Sequence, residues 1–336
     1  MPTPDAPAHA LRADPHWLPH AFDPARQALT FAKLPRARLA APAFLADIAH
    51  EQGHDMLAVP LAALGPLALA ADTPVTFIFH TAFCRSTLLV RALEAPGIST
   101  GLSEPGIIAS LAGAGAAGQG ALAPVAALLA RPWGAGEAVF IKPTNHANRL
   151  APGLMRALPQ ARALLMTNPL PSFLAAVVRK GMMGRRWGRQ LYLELMTYAG
   201  MDVGLDAREQ FLMTDLQATA LAWFLNQRFL AALADTFGAR VRVLDGDAFG
   251  RDPAGTLAAV YAFAGQTVSP ERIAAIADGP VFAADAKTGE DYAAKTARDA
   301  AATGSAITED EIAKVGEWIG LIARQAGLAV PLAQTL

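Results

Sequence analysis

A single cysteine, Cys84, occurs in 336 residues, so no internal disulfide can staple this chain. That scarcity points to a reducing compartment, and the expected location is the cytoplasm. Charge is also sparse: Asp, Glu, Lys and Arg together make 17% of the chain, with a formal net charge of −1. Such a balance gives no global attraction to nucleic acid or to an anionic membrane, so neither is an expected partner. Any anion binding must come from local placement. Long apolar runs are missing as well. The most apolar stretch, residues 56–71, is shorter than a membrane span and contains Pro60 and Pro66. No basic start followed by an apolar run marks a secretory signal. What remains is a chain with 53% apolar residues, long enough for one large globular core.

The most informative stretch is 73–104, TPVTFIFHTAFCRSTLLVRALEAPGISTGLSE. Thr76 to Phe79 are β-branched and aromatic, the composition of a strand buried on both faces. Small and polar residues follow from His80 to Cys84, and Arg85, Ser86 and Thr87 open an apolar helix. A parallel strand that feeds a helix N-terminus makes an anion site, since first-turn amides are unpaired and the helix dipole is positive there. The turn is therefore expected to hold a phosphate or sulfate, and Glu104 stands just beyond the next segment.

Residues 1–70 alternate short apolar groups with Pro, His and Arg and read as a lead-in region packed on a main domain at 71–336. Within them, His50-Glu51-Gln52-Gly53-His54 matches the H-E-x-x-H pattern, in which two imidazoles four apart on a helix hold zinc. Gly53 weakens a helix there, and the alternative is a pair of surface histidines at a helix end, so no metal is expected. Further strands are predicted at Ala138–Ile141, Ala163–Met166 and Arg240–Leu244, alternating with helices at Asn148–Leu158, after Pro169, at Gln217–Phe237 and at Pro253–Ala264. Asp252 is expected to cap the last of these, and Thr308 to start a terminal helix through a capping box. Strands alternating with helices predict an α/β fold, three-layered, with a mostly parallel central sheet. Lys142, at the carboxyl end of a strand, falls where open α/β sheets bind ligands. Residues 179–189 hold five basic residues among three glycines, read as an anion clamp on a mobile segment.

These pieces, in this order, resemble the sulfotransferase family, a branch of the P-loop fold. The resemblance covers roughly residues 73–300 and rests on FIFHTAFCRSTLLVRAL, on LSEP at 102–105, on VFIKPTN at 139–145, on LLMTNPLPSFLAAVV at 164–178 and on VRVLDGDAFGRDPAGTLAAVYAFAGQ at 241–266. The loop departs from the family pattern: Phe83 stands where a basic residue belongs and Arg85 where a glycine belongs. Thr167 replaces the arginine, and Ala175 the serine, that hold a 3′-phosphate in the family. The resemblance implies sulfuryl transfer from 3′-phosphoadenosine-5′-phosphosulfate to a hydroxyl or amine of a small-molecule or saccharide acceptor. It implies Thr81, Ala82, Phe83, Cys84, Arg85, Ser86 and Thr87 around the phosphosulfate, with Thr167, Ser172, Arg179 and Lys180 toward the 3′-phosphate. Glu104 is then the base, Arg85 and Lys142 stabilise charge, and His80 and His146 are reserve bases. Two other readings compete. Arg85-Ser86 partly mimics a nucleotide-triphosphate loop, with Asp245 or Asp247 near a metal, which gives a phosphotransferase. A degenerate, non-catalytic binder of a nucleotide or a partner is the other.

Overall fold

The computed structural model describes residues 10–41, 43–50, 53–65, 73–283 and 306–336, with backbone alone at 49 and 50. Five strands form one parallel sheet in the spatial order β5-β6-β4-β7-β8: β4 is Val75–His80, β5 Ser99–Ser103, β6 Ala138–Lys142, β7 Arg162–Thr167 and β8 Val241–Asp245. All four pairings are parallel. The first strand of this sheet, β4, lies at its centre. From it the chain crosses to the edge strand β5, returns through β6 beside β4, and then adds β7 and β8 on the other side, which makes the carboxyl end of β4 the topological switch point.

Side chains alternate between two cores with the period of a strand. Phe77, Phe79, Val139, Ile141, Ala163, Leu165 and Val243 face one layer of helices (Gly106–Ala114, Leu122–Leu129 and Ala151–Ala157 among them). Ile78, Phe140, Leu164, Met166 and Leu244 face the other, made by the helices Ser86–Ala92 and Pro253–Ala264. The result is the expected α/β three-layer fold with a parallel sheet. Each fully buried aliphatic or aromatic side chain contributes about 1.5–3 kcal/mol through removal from water.

Before this sheet, β1 (Trp17–Asp23), β2 (Ala28–Lys33) and β3 (Met56–Pro60) form an antiparallel sheet of their own. Leu18, Phe22, Leu29 and Phe31 share the core of the first helical layer. Arg36, just after β2, donates to Glu94 at 2.8 Å and to Glu137 at 2.7 Å, and so ties this sheet to β5 and β6. Arg131 acts similarly, its guanidinium donating to the carbonyls of Leu11, Arg12, Asp14 and Trp17. Burial pushes its pKa down to about 10, with Asp14 opposing the shift.

A third core forms where the helices Leu170–Arg179, Gly181–Met196, Asp215–Phe237 and Ala306–Gln325 meet. Here the reading of 179–189 as a mobile clamp is corrected. The segment spans the end of the helix Leu170–Arg179 and the first half of the helix Gly181–Met196, and two of its glycines mark close approaches. A Cβ on Gly188 would lie 1.9 Å from the Thr219 hydroxyl, and one on Gly184 would lie 2.2 Å from the Val177 carbonyl. Arg189 pairs with Asp215 at 2.7 Å, and Arg185 lies 4.0 Å from Glu311, so both cations serve helix packing. Thr308 lies inside the terminal helix, Ala306–Gln325, and so does not form the expected capping box at its start. Asp252 caps Pro253–Ala264 as expected, accepting from the Gly255 amide at 2.9 Å.

Candidate active site

The turn after β4 is built on left-handed backbone. Ala82, Phe83 and Arg85 have φ of 72°, 54° and 63°, and Glu104, at the end of β5, has φ of 48°. Left-handed backbone costs a non-glycine residue about 1–2 kcal/mol. Strain of this kind persists only where surrounding structure imposes it, and it concentrates at functional sites. At Arg85, ψ is 16° and a right-handed helix begins with Ser86. A left-handed residue followed by a right-handed one turns successive amides toward a common point, an anion-binding concavity.

Three side chains impose this shape. His80 is 3% exposed; its Nδ1 accepts from the Ala82 amide at 3.2 Å and its Nε2 lies 3.1 Å from the Pro143 carbonyl. The neutral tautomer with its proton on Nε2 satisfies both contacts, so His80 holds the turn and has no nitrogen left for an acceptor proton. This corrects its expected role as a reserve base. Asn168 donates from Nδ2 to the Phe83 carbonyl at 3.3 Å and accepts from the Thr81 hydroxyl at 3.4 Å. Trp223 in turn donates to the Asn168 carbonyl at 3.0 Å. Cys84 is buried and its thiol reaches the Met166 carbonyl at 3.4 Å, a structural contact. Ser86 and Thr87 open the helix and are buried.

The charges at this edge are arranged in pairs. Arg85 donates from Nη1 to Asp247 and to the Gly246 carbonyl, 3.2 Å away. Asp247 also accepts from the Ser172 hydroxyl at 2.6 Å. Burial raises the pKa of Asp247, but the bonds from Ser172 and Arg85 outweigh it, and the net shift is downward. An acid held below its unfolded pKa stabilises the fold fully above that pKa and loses the effect as pH falls through the folded value. The stability gap between wild type and Asp247→Asn, measured by urea unfolding, is therefore expected to shrink as pH falls from 6 to 3. Asp245 is likewise engaged, capping the helix Gly246–Arg251 by accepting from the Asp247 amide at 2.9 Å. Both acids that a metal-assisted phosphotransferase would use are thus committed to structure.

Lys142 ends β6 with 0% exposure, and its ammonium donates to the Glu104 carboxylate, which is 18% exposed. The two residues are locked by backbone too, since the Glu104 amide donates to the Lys142 carbonyl at 2.7 Å. An ion pair at the carboxyl ends of neighbouring strands, next to a strained turn at the switch point, places an acid and a cation where a reacting group would sit.

The expected 3′-phosphate residues are dispersed. The Thr167 hydroxyl accepts from Gln227, and Ser172 is held by Asp247. Arg179 and Lys180 are exposed at the far end of the Leu170–Arg179 helix, about 13 Å along its axis from the first residue. Phe83 packs edge-on against Trp187 with ring centroids 5.0 Å apart, and lies 5.9 Å from Phe173. Trp187 also donates to His146 Nε2 at 3.3 Å, and His146 Nδ1 meets Glu194 at 2.6 Å. The hydrogen bond to Glu194 raises the pKa of His146, against the effect of burial. Sequence reasoning passed over Asn168 and Glu194. Asn168 was accessible by the rule that singled out Lys142, a polar residue directly after a buried strand; Glu194 carried no such signal.

The zinc pattern lies largely outside the described residues: Glu51 and the side chain of His50 fall there, and His54 alone is described. Among the described residues, no three His, Cys, Asp or Glu side chains group as metal ligands.

No protein-family model matches the chain, and no curated protein does. Among solved structures four chains match. One is a sulfotransferase domain from the curacin biosynthetic pathway, 12% identical, with a TM-score of 0.42 and an alignment that covers 77% of this chain and 99% of that one.

Proposed function

We propose that this protein transfers a sulfuryl group from 3′-phosphoadenosine-5′-phosphosulfate to a hydroxyl or amine, with Glu104 as the base. The observation that carries this reading is the buried Glu104–Lys142 pair beside the left-handed turn at the switch point. In-line transfer of this kind asks the protein for positioning and charge stabilisation more than for covalent chemistry. The turn amides around Arg85 and Ser86 receive the 5′-phosphosulfate. The acceptor oxygen attacks sulfur as the bond from sulfur to the bridging phosphate oxygen breaks, and adenosine 3′,5′-bisphosphate leaves. The acceptor proton goes to a Glu104 oxygen. Protonation weakens the hold of Glu104 on Lys142, and the ammonium is then available to the charge growing on the leaving oxygen.

The test is transfer of ³⁵S from labelled donor to a panel of phenols, sugars and amines. Glu104→Gln keeps an acceptor atom for Lys142 but cannot take a proton. It is expected to lower turnover by about 100-fold or more, with donor affinity within a few-fold of wild type. Equal turnover in the two proteins, or no transfer to any acceptor class, refutes the assignment.

A further inference from the structure

A cleft of about 250 Å³ opens between the helix Gly106–Ala114, the turn Asn145–Leu150 and the helix Gly181–Met196. We propose that it binds a small hydroxylated carboxylate, with Arg149 gripping the carboxylate and the hydroxyl directed toward the Glu104–Lys142 pair. One wall is apolar and small, formed by Ala109, Ala112 and Gly113, and suits a flat ring or short alkyl body. The opposite wall runs from Thr144 to Arg149. Thr144 lies two residues past Lys142, and Ala109 lies in the first turn of the helix that follows Glu104, so this end of the cleft is the one nearer the pair.

Arg149 marks the other end. Its Nη2 donates to the Ala112 carbonyl, which fixes the guanidinium at the cleft wall. Among the described residues no carboxylate pairs with it, although it lines a cleft that contains Glu194. The charge of Glu194 is met instead by His146 at 2.6 Å. A guanidinium held by one nitrogen and facing a cleft with its remaining donors is a carboxylate receptor by chemistry, since the planar fork matches two carboxylate oxygens. Five residues of tight helical turn separate Thr144 from Arg149, about 10 Å, which limits the ligand to a short molecule. That the bound hydroxyl is the sulfuryl acceptor rests on the function proposed above; that the cleft binds the carboxylate does not.

Calorimetric titration with 4-hydroxybenzoate and its methyl ester tests this on wild type, Arg149→Met and Gly113→Leu, with adenosine 3′,5′-bisphosphate titrated into each. A Cβ on Gly113 meets nothing within 4 Å, so the backbone at this cleft-lining position admits a side chain. Wild type is expected to bind the acid at least about tenfold more tightly than the ester, the range of one charge-assisted interaction. Arg149→Met loses that preference, and Gly113→Leu binds neither. Equal binding of acid and ester by wild type, no binding of either, or an acid affinity indifferent to both substitutions overturns the inference. Bisphosphate binding without acid preference removes this inference and leaves the donor reading standing. Acid preference without bisphosphate binding keeps the cleft and removes the donor reading.

Discussion

Replacing Lys142 by methionine lowers stability by about 3–5 kcal/mol, the usual cost of breaking a buried ion pair from one side. Methionine fills nearly the same volume, so the loss arises from the Glu104 carboxylate, which is left largely out of water without its partner. Adding Glu104→Gln removes that charge and is expected to restore at least half of the loss. The recovery separates an ion pair from simple packing, because two unrelated defects would add. Urea unfolding of the wild type, the two single variants and the double variant measures the coupling. A double variant less stable than Lys142→Met alone contradicts the pairing.

Gly246→Ala is the second large effect. Gly246 follows β8 directly and sits beneath the turn, where a Cβ would lie 2.2 Å from the Cys84 carbonyl oxygen and 2.8 Å from its carbon. Both are backbone atoms, so relief requires the turn itself to move. The expected cost is about 3 kcal/mol, at the upper end of overpacking, with weakened nucleotide binding because Arg85 and its neighbours shift together. Gly250→Ala is the control. The three atoms nearest its Cβ all belong to the Arg85 side chain, with Nε at 2.9 Å, and a flexible guanidinium can yield. It is expected to cost less than about 1 kcal/mol, within the range of a mild substitution. Thermal unfolding and bisphosphate titration of both variants check this. Equal behaviour of the two would show that the turn is not wedged against Gly246.

Much of the central sheet was legible because β4, β6 and β7 carry runs of apolar and β-branched residues bounded by turn residues, and the run of β8 is broken only by Arg242. β5 was not. Its sequence, Ser-Thr-Gly-Leu-Ser, has almost no apolar signal, yet all five residues are buried. The reason is tertiary: Ser99 bonds to Tyr261 at 3.0 Å, Thr100 to Glu137 at 2.7 Å, and Gly101 is where the strand passes against the Val90 carbonyl. The antiparallel sheet of β1, β2 and β3 escaped for a different reason, since β1 is interrupted by Pro19 and His20, and β3 pairs with β2 across the whole stretch 34–55. At the turn, the order of strand, loop and helix was readable from the sequence. Its left-handed backbone was not, because that conformation is usually announced by glycine and here falls on Ala82, Phe83 and Arg85. Gly184 and Gly188 misled in the opposite direction, because a sequence cannot distinguish a glycine that bends from one that admits a close neighbour.

The central claim is that the turn after β4 and the Glu104–Lys142 pair form a sulfuryl-donor site. Calorimetric titration of the purified protein with adenosine 3′,5′-bisphosphate, and separately with ATP and Mg²⁺, tests it most directly. The account predicts saturable binding of the bisphosphate with one site per chain, weakened by Gly246→Ala, and binding of ATP at least about tenfold weaker. Tighter binding of ATP, or no binding of the bisphosphate at millimolar concentration, would contradict it.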